Sequence, residues 1–342
     1  MLIRIERNLR ELSLWAVGDE VREAVGGAPP KGARGVRVHT VKDPRLVLDT
    51  AALLALPSVR RDLVMRLLDF PVRETEFDGV SVTWPKHRFP GVWSPTIDTL
   101  LLARALRPLL RARPPRTFLE IGCGSGFLSK YVLSKCRDAG SPVAEARLMD
   151  INPDALLSGM EALAPVQGDT LVSYSLNRAG RRIPESGPYD LVVCNPPYVP
   201  RPHAEVNNPF EGLFLYGEIV RMAPRLLAHG SRLVLMLSST SEAEVRPALA
   251  RVFALRDLAS LEVPLKIPVI TARLSKESRR WMDYLEKGGR LLEDPTEKSG
   301  YRWWQRLTVV EARLPATLGS AGTARGSSSP SRRAARPVRL AR

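Results

Sequence analysis

The apolar positions of this chain change period along its length. Ile5, Leu9, Leu12 and Trp15 recur at helical spacing, and Val59, Leu63, Leu67 and Phe70 repeat the pattern, so both stretches predict amphipathic helices. Between them residues 26–35 (GGAPPKGARG) predict a loop, because glycine and proline interrupt either period. FDGVSVTW then alternates around Asp78-Gly79, a dipeptide suited to a tight hairpin turn.

From about residue 97 helix-like and strand-like segments alternate. Strands are predicted at 117–121, 146–150, near Val166, and at 189–194, 232–237, 257–263 and 307–312. Short strands separated by helices predict a mostly parallel, seven-stranded sheet covered on both faces, a doubly wound α/β domain. The implied organisation is an N-terminal accessory region over 1–89 (helices plus hairpin), the α/β domain over 90–314, and a tail over 315–342. That tail, rich in Gly, Ser, Pro, Ala and Arg, has little to bury and predicts disorder.

Composition narrows the class. With 342 residues and 44% hydrophobic content the chain can bury one large core plus a small accessory domain. Its longest apolar runs, 191–194 and 233–237, fall far short of the ~18 residues that span a bilayer, so no membrane segment is expected. Glu6, Glu11, Asp19 and Glu20 break up the N-terminus and fit neither a signal nor a transit peptide, which predicts a cytoplasmic protein. Cys123, Cys136, Cys194 and the histidines at 39, 87, 203 and 229 lack paired metal-ligand spacing, so no zinc site or disulfide framework is expected. The net charge of +15 suggests nucleic acid, yet six of those charges are tail arginines with no acid among them. RNA or ribosome contact is thereby a possibility for the tail more than for the body of the chain.

The strongest local signal is FLEIGCGSGFLSKYV. An apolar strand ends in Glu120 and runs through Gly122, Cys123, Gly124, Ser125 and Gly126 into a helix. Alternate glycines let a backbone turn sharply and approach a ligand, and the helix start offers free N–H groups. A dinucleotide loop would need glycine at 127, where this chain has phenylalanine, which disfavours NAD. Asp150 ends the next strand, where a carboxylate can accept from both hydroxyls of a ribose. Asp169 and Thr170, in VQGDT, follow the segment near Val166.

The fourth strand leads into Asn195-Pro196-Pro197-Tyr198, at the sheet edge where open α/β folds place ligands. Read alone, the segment could be a proline-stiffened turn. Read after the glycine loop, it suits a planar nitrogen whose lone pair is delocalised. Hydrogen bonds from such a nitrogen to the Asn195 side-chain oxygen and the Pro196 carbonyl would orient it and draw it toward tetrahedral geometry. The prolines stiffen the acceptors, and Tyr198 can stack on the flat substrate group.

The E-x-G-x-G-x-G spacing resembles motif I of class I methyltransferases. That likeness implies a Rossmann-like fold and S-adenosylmethionine held by residues 120–126, with Asp150 on the ribose, Asp169 and Thr170 on the adenine side, and Asn195 beside it. With the N-P-P-Y segment, the chain over residues 90–313 resembles the HemK-type family, which methylates the glutamine amide of peptide release factors. GVWSPTIDTLLLARAL is similar to that family's domain entry, where an acid and threonine, here Asp98-Thr99, lie near the cofactor. EGLFLYGEIVRMAPRLLAHGSRLVLML is similar to its segment after N-P-P-Y, with Gly212, Leu213 and Tyr216 in the matching places. The likeness implies a protein partner with an exposed glutamine, such as a release factor. It does not extend to residues 1–89, and SPTIDT stands where the family has an RPETE-like segment.

Two other readings compete. An adenine or guanine exocyclic amine in rRNA, tRNA or DNA presents the same planar nitrogen, and a silent nucleic-acid or ribosome-binding module would keep the fold without the chemistry. The intact Asn195 and glycine loop oppose the second. Residues 263–304 form a charged insertion before the last strand, a candidate substrate lid. Its Arg279-Arg280 and Trp303-Trp304 pairs suit either RNA clamping or packing on the sheet edge.

Overall fold

The structure is a computed structural model. It describes residues 2–6, 13–17, 20–24, 33–34, 36–38, 45–49, 72–83, 89, 92–93, 95, 97–177, 187–200, 213–265, 276–293 and 303–315. For the strands before residue 75 and for 83, 264 and 276–279 it describes backbone only.

The described residues of the N-terminal region are built into strands. β1 (Leu2–Glu6), β5 (Val36–Val38), β6 (Arg45–Asp49), β7 (Val72–Phe77) and β8 (Val80–Thr83) form one sheet in the order β5-β6-β1-β7-β8. β2 (Ser13–Val17), β3 (Glu20–Ala24) and β4 (Ala33–Arg34) form another. The helix expected over 5–15 is therefore replaced by parts of two strands. Ile3 and Ile5 alternate with Arg4 and Glu6, so these residues satisfy a period of two as well. β1 then gains ladder hydrogen bonds on both edges from β6 and β7, partners remote in sequence. The helix expected over 59–70 lies outside the described residues, as do Gly212, the tail beyond 315 and, apart from β4, nearly all of the 26–35 loop.

The expected hairpin is present. Asp78 and Gly79 both have positive φ, 53° and 77°, as the two central residues of a type I′ turn require. Its residues Phe77, Val80 and Val82 are buried in the main core, so the hairpin packs on the α/β domain. Asp78 accepts from the Tyr131 hydroxyl (3.1 Å) and pairs with Lys135 (3.4 Å), on the helix that follows the glycine loop.

The α/β domain runs α1 (Ile97–Ala112), β9 (Thr117–Ile121), α2 (Phe127–Asp138), β10 (Glu145–Asp150), α3 (Pro153–Leu163), β11 (Leu171–Leu176) and β12 (Tyr189–Cys194). It continues with α4 (Phe214–Leu226), β13 (Leu227–Ser238), α5 (Glu242–Ala250), β14 (Ala254–Pro264), α6 (Lys276–Lys287), β15 (Leu292–Glu293) and β16 (Trp303–Arg313). The strand order is β11-β10-β9-β12-β13-β16-β14. The pairs from β11 to β13 are parallel, and β16 is antiparallel to both its neighbours. This is the expected Rossmann-like doubly wound sheet of seven strands, with the two-residue β15 pairing on β16 as an eighth.

Alternation along the strands explains the layering. Phe118, Leu191 and Val193 face one buried cluster with α1 and α2, whereas Leu119, Val192 and Cys194 face the other with α4 and α5. Both faces are apolar, as a sheet covered on both sides requires. No helix of the described residues is long and apolar enough to cross a membrane.

Candidate active site

β9 and β12 are parallel neighbours with Cys194 opposite Ile121. The chain therefore leaves the sheet at Gly122 and at Asn195 side by side, one strand spacing of about 4.8 Å apart. Strand order reverses between these two strands, which makes their carboxyl ends the crevice where such sheets hold ligands.

The glycine loop owes its shape to its residues. Gly122 N and Cys123 N both donate to the Met149 carbonyl, at 2.7 and 3.1 Å, turning the chain over the end of β10. Gly124 has φ 49° and its N–H donates to Asp150 Oδ2 at 2.9 Å. Gly126 starts α2 at φ 76°, and a Cβ there would stand 2.7 Å from Gly159 Cα. Only glycine meets both demands at 126, the left-handed backbone and the contact with α3. Trp93, 80% exposed, lies over the loop, its carbonyl 3.3 Å from where a Cβ on Gly124 would be.

The acids flanking the loop have different roles. Glu120 is 2% exposed and accepts from the Ser129 N–H (2.9 Å) and, at short range, the Ser129 hydroxyl. Burial pushes its pKa up to about 8 against the lowering effect of those hydrogen bonds. Its carboxyl group thus ties β9 to α2 inside the fold. Asp150 stays at the crevice, its Oδ1 accepting from Asn152 N at 2.9 Å. Burial raises its pKa, and the N–H groups of Asn152 and Gly124 oppose the rise. Cys123 and Ser125 are buried, and desolvation holds the Cys123 thiol in its neutral form.

Asp169 and Thr170 are not brought to this crevice. Val166 lies in the turn after α3, and the strand begins only at Leu171. Asp169 and Thr170 therefore precede β11, where Leu171 pairs with Glu145, the first residue of β10. The Thr170 hydroxyl donates to the Val143 carbonyl at 2.8 Å. Six residues of strand, about 20 Å, separate them from Asp150. At the correct end stands Asn177, whose N–H donates to the Asp150 carbonyl at 2.8 Å. The half-exposed LVSYSL edge strand marks itself weakly, and the apolar Val166 drew the boundary too early.

Around N-P-P-Y the packing fixes polar groups. Asp98, 8% exposed in the first turn of α1, accepts through Oδ2 from Asn195 Nδ2 (2.9 Å) and the Tyr198 hydroxyl (3.1 Å). Its Oδ1 accepts from Thr99 N at 2.8 Å, and Thr99 Oγ1 is 3.4 Å from Asn195 Nδ2. A carboxylate can only accept, so the Asn195 NH₂ must face Asp98. The Asn195 Oδ1 is left buried with no hydrogen-bond partner. Such an orphan acceptor costs about 1–3 kcal/mol, which marks the place for a donor from a ligand. Burial and Asp98 push the Tyr198 hydroxyl well above its usual range, so it remains a donor. Tyr198 is thus anchored to Asp98 through its hydroxyl. Pro196 is buried beside it. Tyr216 is buried with its hydroxyl on the Met236 carbonyl at 2.7 Å, a core contact.

The described parts of the insertion pack as part of the domain. Trp304 is 1% exposed on β16, paired with Pro264 of β14 and Leu292 of β15, and Trp303 joins a small cluster with Leu265 and Leu285. Both tryptophans are packing residues. Arg280 is exposed on α6, as an RNA-clamping role would also need.

Sequence comparison gives the same outline. The methyltransferase small domain family matches residues 87–261. The release factor glutamine methyltransferase of Bordetella pertussis is 30% identical over 196 residues, 51% of this chain and 68% of that one. That of Deinococcus radiodurans is 30% identical over 219 residues, 57% of this chain and 71% of that one. Methyltransferase HEMK2 of Homo sapiens is 34% identical over 128 residues, 35% of this chain and 55% of that one.

Proposed function

This chain belongs to the methyltransferase small domain family, and we propose that it transfers a methyl group from S-adenosylmethionine to the side-chain amide nitrogen of a protein glutamine. A peptide release factor is the acceptor named for its relatives, and a cytoplasmic site of action goes with that substrate.

The orphan Asn195 Oδ1 carries the reading. A primary amide offers two N–H donors in one plane. Asn195 Oδ1 accepts one and the Pro196 carbonyl, next along the same stiff turn, accepts the other. Both bonds strengthen as the nitrogen lone pair withdraws from the amide π system, so they favour the transition state over the ground state. Asp98 holds Asn195 and Tyr198 in advance and so removes the cost of ordering them at the moment of reaction.

The residues fit the cofactor. A Cβ on Gly122 would meet nothing within 4 Å, so the loop faces open space, and Asp150 stands at its rim with lone pairs to spare for ribose hydroxyls. Gly122, Gly124 and Asp150 would hold the nucleoside, with Asn177 on its adenine side. When bound, S-adenosylmethionine supplies a methyl group on a cationic sulfonium, so alignment does much of the work and no strong base is required. The proton released from nitrogen passes to water.

Labelled S-adenosylmethionine, incubated with the enzyme and either a release factor carrying its Gly-Gly-Gln loop or total RNA, tests this. The expected label is on the release factor and is lost with Asn195→Ala while cofactor binding persists. Label confined to RNA would replace the glutamine with a nucleobase amine.

A further inference from the structure

The matched family ends at residue 261, and α6 and β15 lie beyond it. Two tethers run from this segment to the chain around Tyr198. Trp281, on α6, donates from Nε1 to the Pro200 carbonyl at 2.7 Å. Arg290, just after α6, donates from Nη1 to the Thr240 carbonyl at 3.1 Å, and Thr240 Oγ1 in turn donates to the Tyr198 carbonyl at 3.3 Å. Arg290 is itself held, paired with Glu244 on α5 and resting over the Tyr284 ring at 5.5 Å. Val199, between the two tethered carbonyls, packs against the cluster centred on Leu265 and Leu285. The base of the segment is knitted to the sheet, since Leu292 pairs with Trp304 and Leu265 N donates to the Trp303 carbonyl at 2.9 Å.

We propose that residues 276–293 are a brace for the acceptor loop, with Trp281 and Arg290 as positioning residues that hold 198–200 and through them Asn195. The proposal rests on the reading that Asn195 Oδ1 receives the substrate N–H. Asp98 fixes the Asn195 and Tyr198 side chains from one side, whereas residues 195–200, which follow β12 and lie in no strand, present the Tyr198 and Pro200 carbonyls that the tethers reach. A loop carrying two acceptors that must meet two donors at once tolerates little displacement, and misplacement by an ångström can cost about 10²-fold in rate. The brace supplies backbone restraint at Tyr198 and Pro200, on both sides of the packed Val199. Trp281 and Arg290 touch no reacting atom, so their effect is on kcat.

Trp281→Phe keeps the ring and removes the donor, and Arg290→Lys keeps the charge and removes the forked geometry. Each is expected to lower kcat for the acceptor protein about tenfold, the scale of one hydrogen bond, with KM for the acceptor and Kd for S-adenosylmethionine held. In ¹⁵N-asparagine-labelled protein without cofactor, the Asn195 side-chain NH₂ signal, assigned by its loss in Asn195→Asp, should broaden or split in both variants. Wild-type kcat and an unchanged signal in both would overturn the brace. So would a loss that appears in KM or in cofactor Kd, because it would place the residues on a binding surface instead. If either variant unfolds, the other decides. Should Asn195→Ala retain full turnover, the catalytic reading fails instead, while the NMR signal still reports on the brace.

Discussion

Asp98 Oδ2 stands 2.9 Å from Asn195 Nδ2, and this contact turns the NH₂ end of the Asn195 amide toward α1 and leaves Oδ1 for the proposed substrate donor. The same oxygen receives the Tyr198 hydroxyl, so one carboxylate on α1 orders two residues of the loop after β12. Replacing it by an amide leaves one acceptor oxygen for three donors, so an NH₂ faces either Thr99 N or the Asn195 and Tyr198 donors, and the Asn195 side chain can turn over. Asp98→Asn is expected to lower kcat roughly 10²-fold, the scale of losing one aligned polar group in an active site. Steady-state kinetics together with calorimetric cofactor binding check it. A fall in cofactor affinity with kcat preserved would place Asp98 on the cofactor instead.

Glu120 carries its own pH signature. Burial raises its pKa from the ordinary 4.5 to about 8, so the folded protein keeps a proton that the unfolded chain releases. Between those values the folded state binds more protons. This contribution to stability is present below about pH 4.5 and fades as pH rises toward 8. Glu120→Gln keeps an acceptor for Ser129 and carries no charge. It is expected to flatten the decline and to raise Tm at pH 8.5 by at least about 1–2 °C, the equivalent of ~1 kcal/mol in a protein of this size. Thermal unfolding of both proteins from pH 5 to 8.5 measures it, and parallel curves would mean that Glu120 is ionised throughout.

At Gly126 the expected cost is steric and conformational together. A Cβ would stand 2.7 Å from Gly159 Cα, backbone against backbone, at a φ of 76°. Gly126→Ala should destabilise by about 2–4 kcal/mol through left-handed strain and overpacking, read as a lower denaturant midpoint. Gly122→Ala meets no neighbour and should show only the strain, with cofactor affinity reduced because the methyl group enters the open side of the loop.

Local chemistry made the α/β domain legible in sequence, and distant partners hid the rest. Apolar strands ending in glycine, aspartate or asparagine announce themselves because both sheet faces are buried. Residues 2–6 carry apolar positions that satisfy two periods, and only β6 and β7, tens of residues away, decide for strand. Asn195 was visible as a motif, but its clamp at Asp98, 97 residues earlier, became evident only when α1 was packed against the crevice. The brace had a faint signal in the spacing of Trp281 and Leu285 on one helical face, and nothing in sequence indicated that its donor would reach Pro200.

The adenine side of the crevice offers the cleanest contrast between sequence and structure. Asp169 resembles the family's acid in a linear reading, yet it precedes β11, and Asn177 occupies the carboxyl end next to Asp150. Four substitutions separate the two placements. Asp150→Asn removes a charged acceptor from the ribose position and should weaken cofactor binding by roughly 10–100-fold, the worth of charge-assisted hydrogen bonds. Asn177→Ala should weaken it less, since a neutral side chain gives up a weaker bond. Asp169→Ala should leave calorimetric cofactor affinity untouched. Thr170→Val should lower Tm by removing the hydroxyl that donates to Val143, again without a change in affinity. A large loss of binding in Asp169→Ala would mean that β11 is shifted from the register in which Leu176 pairs with Asp150.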